Sequence, residues 1–239
     1  LPDVHEATAA ALLDVERRAI FAIRSVIQTT PKSGPMIAVS RDLGAVVADV
    51  LHRARGAARQ TSTERLRAEW DAALADASRL GFAVDGGPVP AKMPADADRL
   101  ASERTARLYT DSLLKDLERA VDNEERVTMA ELASRQERAV ETAAAWEVAS
   151  AFNDQRLRNE KVTRQQYEGR NWLPVMVATW DARLDVRTCP RCRKLDGETR
   201  PLGLDFEGGV APGKIHAKCR CVRGLIASLI YIGRKEKVA

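Results

Sequence analysis

Cys189-Pro190-Arg191-Cys192 and His216-Ala217-Lys218-Cys219-Arg220-Cys221 gather all four cysteines of this 239-residue chain, and one of its three histidines, into one short stretch. Thiolate and imidazole are the preferred ligands of structural zinc, and a Cys-Pro-x-Cys turn holds two sulfurs near tetrahedral spacing. A second group about 25 residues on can close the tetrahedron. Five candidate ligands, Cys189, Cys192, His216, Cys219 and Cys221, compete for four places. Cys219 and Cys221 point the same way if extended, which allows a four-Cys site with His216 outside it. Equally, His216 binds and one of the last two cysteines does not. Reduced cysteines in a cytosolic setting favour metal over disulfide. The expectation is a structural zinc without which the unit from Thr179 to Arg223 does not fold, since such sites contribute roughly 10 to 16 kcal/mol of apparent binding free energy.

Catalytic readings of the cluster fare worse. A catalytic zinc needs an open position and a nearby acid or base. Nucleobase deaminases pair His-x-Glu with Pro-Cys-x-x-Cys, whereas here the proline lies inside the Cys pair and no His-x-Glu occurs. A His-Asn-His type nuclease needs a histidine besides the ligands, and His216 is the only one after His52. A thioredoxin-like pair at Cys189 and Cys192 leaves the second group unexplained. His5 and His52 have no ligand-type partner at helical spacing and read as surface residues. No catalytic residue is assigned.

The elements that must position the cluster follow from apolar periodicity. Leu12, Val15, Ala19, Ala22, Ile23 and Val26 share a helical face within residues 5–28, and Pro31 to Pro35 breaks that helix. A second stripe runs from Leu43 to Ala54. Thr61 with Glu64 forms a capping box that opens a third helix burying Leu66, Trp70, Ala73 and Leu74. Gly86, Gly87, Pro88, Pro90 and Pro94 read as a linker or an arm that orders on a partner. Beyond it, Leu114, Leu117 and Val121 mark another helix, and Thr128 with Glu131 opens what should be the longest one, ending near Asn159. Leu173 to Trp180 is β-branched, Asp196-Gly197 suits a turn, and Val222 to Ile232 suggests a strand or a short helix. Trp70 and Trp146 are expected core anchors. The expected fold is mainly α: a helical N-terminal region (1–84), the arm (85–98), long helices (99–166) and a small α+β zinc-stapled module (167–239).

Charge is uneven. The net +4 conceals twelve Lys/Arg against six Asp/Glu from Asp185 onward. Arg187, Arg191, Arg193, Lys194, Lys214, Lys218, Arg220 and Arg223 thread through the cluster, where they could touch phosphates without reading sequence. Interleaved aromatics, which single-strand binding uses, are nearly absent. The apolar run Leu225 to Ile232 is about half of the roughly 20 residues a membrane span needs.

Trp180, Asp185, Cys189, Cys192, Leu195 and Gly197, followed by His216, Cys219, Arg220 and Cys221, resemble the motif of the phage Mu F-like minor head proteins. The resemblance covers about 45 residues. It implies a head morphogenesis protein of a tailed bacteriophage, built into heads in multiple copies, with the portal or major capsid protein as partner. Its place would be the virion, at the portal vertex, and the host cytoplasm during assembly. Some members carry a toxin or enzyme domain after the motif, and 18 residues follow Cys221 here, so the plain structural version is expected. Trp180 and Asp185 would then fix the fold around the cluster. A nucleic-acid-binding zinc protein acting in DNA packaging or ejection is the second expectation, and a zinc-dependent hydrolase the third.

Overall fold

A computed structural model describes residues 2–29, 36–79, 86–94, 96–123, 131, 134, 136–167, 176–182, 188–216 and 219–227. The protein is mainly helical with a small C-terminal sheet. Among the described residues four long helices come first: α1 (Pro2–Thr29), α2 (Met36–Arg79), α3 (Ala97–Asp122) and α4 (Glu137–Tyr167). Then follow β1 (Met176–Asp181), the short helix α5 (Pro190–Leu195), β2 (Thr199–Pro201), a 3-10 turn (Glu207–Gly209) and β3 (Val222–Ala227).

The capping box expected at Thr61 does not form, because α2 runs unbroken for 44 residues and is longer than the 31-residue α4. Gln60 Nε2 donates to Glu64 Oε1 at 2.8 Å, which engages the carboxylate along its own helix face. Thr63 Oγ1 donates back to Arg59 O at 3.2 Å, the usual way a hydroxyl is accommodated inside a helix. Helix α4 begins at Glu137, just after Gln136, whose carbonyl accepts from the Ala139 and Val140 amides at 2.9 and 3.0 Å. Thr128 lies outside the described residues.

Packing groups the chain into two compact units, one of Leu1–Ala11, Arg59–Lys92 and Ala149–Ala239, the other of Leu12–Ala58 and Met93–Val148. In the second, buried Arg55 donates through Nε to Asp98 Oδ1 at 2.8 Å and through a terminal nitrogen to Glu147, which also accepts from Thr105. A guanidinium out of water needs such partners.

In the first unit, Leu66, Trp70 and Ala73 of α2 form a core with Tyr167, Leu202 and Leu225. The Trp70 ring stacks on Tyr167 at 5.6 Å and its Nε1 donates to Gly86 O at 3.2 Å. From there the proline-rich arm lies antiparallel along α4. The Tyr167 hydroxyl donates to Gly87 O (3.4 Å), Val89 N to Thr163 Oγ1 (2.9 Å) and Ala91 N to Asn159 Oδ1 (2.8 Å), while Gln155 Nε2 donates to Ala91 O (2.9 Å). Two extended residues advance about 6.6 Å and one helical turn about 5.4 Å, so alternate arm residues meet successive turns of α4. Pro88 and Pro90, which have no N–H, occupy the positions in between. The segment expected to await a partner is thus bound by its own chain.

The sheet has the order β2-β1-β3, with both pairs antiparallel. It is fastened to the helices by buried charges. Arg156 donates to Glu69 of α2 and, at 3.3 Å, to Glu160 Oε1. Glu160 Oε2 accepts from Arg223 Nε at 2.8 Å, from a terminal Arg223 nitrogen at 2.7 Å and from Gly203 N at 3.1 Å. Two cations and two anions, all nearly inaccessible to solvent, balance one another. Glu160→Gln keeps the shape but leaves two guanidinium groups facing one carboxylate. Urea unfolding should show a loss of about 3–5 kcal/mol; a loss under about 1 kcal/mol, as for an exposed pair, would show that the network does not hold the unit together.

Candidate metal centre

The first half of the cluster hangs from the backbone of Trp180. Gly197 N donates to Trp180 O and Trp180 N to Glu198 O, both at 2.8 Å, while Ala182 N donates to Asp196 Oδ1 at 2.8 Å. Gly197 takes φ +77°, a left-handed turn that the Asp-Gly pair permits. Between these anchor points Cys189 caps α5 with extended dihedrals, and Pro190 opens the helix. Cys189 Sγ accepts from Cys192 N at 3.3 Å, and Cys189 O accepts from Arg193 N at 3.0 Å. The knuckle is therefore closed by its own backbone.

The second half is shaped by a glycine turn and by α4. Lys214 N donates to Ala211 O at 3.1 Å, Gly213 takes φ +78°, and Gly213 N donates to Cys219 Sγ at 3.3 Å. Cys219 N returns to His216 O at 3.0 Å. Asn153 of α4 then secures the exit: its Nδ2 donates to Cys221 O at 2.9 Å and its Oδ1 accepts from Arg223 N at 2.7 Å. Gly213 packs against the same asparagine so closely that an added Cβ would lie 2.9 Å from Asn153 Nδ2 and 3.3 Å from Ala149 O.

These two halves meet at Cys192. Its Sγ lies 3.3 Å from His216 Nε2 and 3.7 Å from Cys219 Sγ. Ligand atoms of Cys189, Cys192 and His216 lie within 4.8 Å of one another, as do those of Cys192, Cys219 and Cys221. All five sequence candidates thus gather around one sulfur, and the cluster could hold a metal ion. The fit is chemical as well as spatial. Metal–sulfur bonds of about 2.3 Å at tetrahedral angles place two sulfurs about 3.8 Å apart, close to the Cys192–Cys219 separation. All four cysteines are free thiols.

Burial makes the thiols unequal. Cys192, Cys219 and Cys221 are buried, Cys189 and His216 half-buried. Hydrogen bonding from Cys221, helped by the Cys221 and Gly213 amides, pulls the Cys219 thiol down to about 5. Burial pushes Cys192 up to about 12, and Cys221 is raised by its bond to the Cys219 sulfur and by burial. One thiolate forms readily and its charge opposes the next; a divalent cation removes that opposition, and binding releases protons.

Around the donors, Ala178, Trp180, Ala182 and Phe206 form an apolar shell with Cys192, Cys219 and Cys221, and Cys189, Leu195, Val210 and Ile215 pack against it. Trp180 meets Phe206 edge-on at 5.3 Å, and the Arg223 guanidinium lies 5.0 Å above the Phe206 ring. Arg223 is therefore not a surface cation as expected, because Glu160 holds it inside. Lys214 pairs with Asp154 at 2.5 Å. Arg191, Arg193 and Lys194 are exposed; Asp185, Arg187 and Lys218 lie outside the described residues. Trp70 is buried as expected, Trp146 is only half-buried, and His52 is exposed.

Asn153, Glu160, Phe206 and Gly213 were not marked by the sequence reading. Pro212-Gly213 ahead of His216 was a usable turn signal, and Arg156 with Glu160 stands at ion-pair spacing on a helix. Nothing in the sequence singled out Asn153. Comparison with protein-family models, characterised proteins and solved structures finds no match to this chain.

Gly213→Ala should weaken binding of zinc about 10-fold, as loss of an outer-shell partner does, because the new methyl group pushes the turn away from Asn153 and strains its positive φ. Competition titration against a chromophoric chelator measures this. Unchanged affinity would mean that the Gly213 amide does not support the Cys219 sulfur.

Proposed function

We propose that this chain is a structural component of a tailed-phage head, a minor head protein that docks at the portal vertex and whose C-terminal module is stapled by one zinc ion. The observation that carries this reading is convergence. Trp180, Cys189, Cys192, Leu195, Cys219 and Cys221, all members of the motif resembling the Mu F-like proteins, belong to one packed cluster, His216 reaches its centre, and Gly197 makes the turn that returns to Trp180. A motif whose members mainly pack on one another is what a fold staple requires.

Burial supports a structural role over a hydrolytic one. Cys192 is 2% exposed, Cys219 1% and Cys221 3%, and a catalytic zinc must offer a position to water and substrate. The reading assigns no catalytic residue. The long helices then supply contact surface for portal or capsid protein. No helix of the described residues is long and apolar enough to cross a membrane.

Contact with packaged DNA is the second reading, favoured by the exposed Arg191, Arg193 and Lys194 on α5. Three phosphate contacts give a slope of log affinity against log salt of only about −3, which suits nonspecific contact and not packaging machinery.

In phage assembly, Cys189→Ser with Cys192→Ser should reduce incorporation of the protein into heads by about 10-fold or more, given that structural zinc is worth many kcal/mol. Quantitative mass spectrometry of purified heads and co-elution with the portal ring are the measurements. Normal incorporation of that variant would refute the structural role of the cluster, and co-elution with DNA but not with portal would favour the second reading.

A further inference from the structure

We infer that Cys189 and Cys192 are a site of reversible oxidation: hydrogen peroxide joins them in a disulfide, which takes two donors from the cluster and opens the staple. The pairing stands on the geometry of the thiols, and its consequence rests on the reading of the cluster as a metal site.

Access is the first argument. Cys192, Cys219 and Cys221 are 2%, 1% and 3% exposed, whereas Cys189 is half-buried and is followed by exposed Pro190 and Arg191. A small polar oxidant modifies the sulfur it can reach, and thiols shut away in the interior stay inert until another sulfur carries the reaction to them. Oxidation therefore enters at Cys189.

Neighbourhood decides where it goes next. The ligand atom of Cys189 lies within 4.8 Å of those of Cys192 and His216, and that group holds no other thiol. Cys192 N donates to Cys189 Sγ at 3.3 Å and Arg193 N to Cys189 O at 3.0 Å, so both cysteines sit on one closed turn. Residues three apart on such a turn are neighbours, at a separation that a disulfide spans. The sulfurs of Cys192 and Cys219, 3.7 Å apart, are also close enough to pair, but neither is open to the oxidant.

In the first step the Cys189 sulfur attacks one peroxide oxygen. The S–O bond forms as the O–O bond breaks, and the departing hydroxide takes a proton, from the thiol or, where a cation has displaced it, from water. In the second, the Cys192 sulfur attacks the Cys189 sulfur. The S–S bond forms as the S–O bond breaks, and a second water leaves. The cysteine pair gives up two electrons and the peroxide accepts them.

Bonding to Cys189 turns the Cys192 sulfur away from His216 Nε2, at 3.3 Å, and from Cys219 Sγ, the contacts through which the two halves of the cluster meet. Asn153 still holds the strand that leaves the second half. The second half thus stays docked on α4 while the first is released. Under reducing conditions the staple is closed, and an oxidant opens it.

The test treats zinc-loaded full-length protein with hydrogen peroxide, counts free thiols, follows zinc release with a chromophoric chelator and maps disulfides by mass spectrometry of unreduced tryptic peptides. Cleavage after Arg187, Arg191, Lys218 and Arg220 places each cysteine on its own peptide, so the map is unambiguous. Two of the four thiols should be lost, with the Cys189 and Cys192 peptides joined, zinc released, and all of it reversed by dithiothreitol. Cys189→Ser should lose thiols at least about 10-fold more slowly, since the reachable sulfur is gone; if that variant does not fold, the wild-type map decides alone. A disulfide from Cys219 to Cys192 or to Cys221 with Cys189 free would overturn the pairing, as would survival of all four thiols under peroxide that oxidises free glutathione. The Cys189 to Cys192 disulfide formed with zinc retained would overturn the opening of the staple. Protein that holds no zinc beforehand yet forms that disulfide would sink the metal reading and uphold the oxidation site.

Discussion

Three thiols buried against one another, with an imidazole and a fourth thiol beside them, set the terms for the whole C-terminal module. Sulfurs at such separations cannot all ionise without a cation, and kept protonated they offer only weak hydrogen bonds. Most of the surrounding structure serves to hold that arrangement. β1 and β3 pair so that Trp180 stands opposite Arg223, which places the start of the first knuckle next to the exit of the second. A bound divalent ion would turn these weakly interacting thiols into a cross-link between the two halves of the module.

The module is not free-standing, since its first unit also includes parts of α2 and α4. Asn153 binds the strand that leaves the cluster from both sides, and Glu160 binds Arg223 and the Gly203 turn. A Cβ at Gly203 would meet the Lys161 backbone at 3.2 and 3.3 Å and the Glu160 carbonyl carbon at 3.4 Å, so this turn too is pressed onto α4. The arm from Gly86 occupies further turns of the same helix. Cluster, strand, turn and arm thus all take their positions from α4, a helix whose buried residues include Asn153, Gln155, Arg156, Asn159, Glu160 and Thr163. Those polar side chains are costly to bury, and they find partners in the arm, in α2, in the strand that leaves the cluster and along α4 itself.

That polar burial explains what could and could not be read from the sequence. The apolar stripes mark α1 and α3 and the β-branched run marks β1, because hydrophobic periodicity reports burial of ordinary cores, whereas the apolar run from Val222 leaves strand and short helix open and the structure makes it β3. The cluster was legible because thiols and imidazole at those spacings have few other uses. Helix α4 beyond Val148 was legible as helix but not as anchor, since Asn, Gln, Glu and Arg at helical positions normally mark a solvated face. Arg223 reads as a surface cation for the same reason: its burial depends on Glu160, which lies 63 positions earlier. The Thr61 capping box does not form because no proline interrupts α2 and Gly56, just upstream, is carried within the helix, so continuation costs less than a new start.

Hydrogen exchange on zinc-loaded and chelator-treated protein, with zinc content measured on the same samples, tests the central claim most directly. One zinc per chain is predicted in the loaded sample, and its removal should deprotect the amides of Trp180, Gly197, Gly213, Cys219 and Arg223 while the helical amides of Leu43 to Val50 keep their protection. Absence of stoichiometric zinc from protein purified without chelator, or unchanged protection of those five amides after zinc is removed, would contradict it.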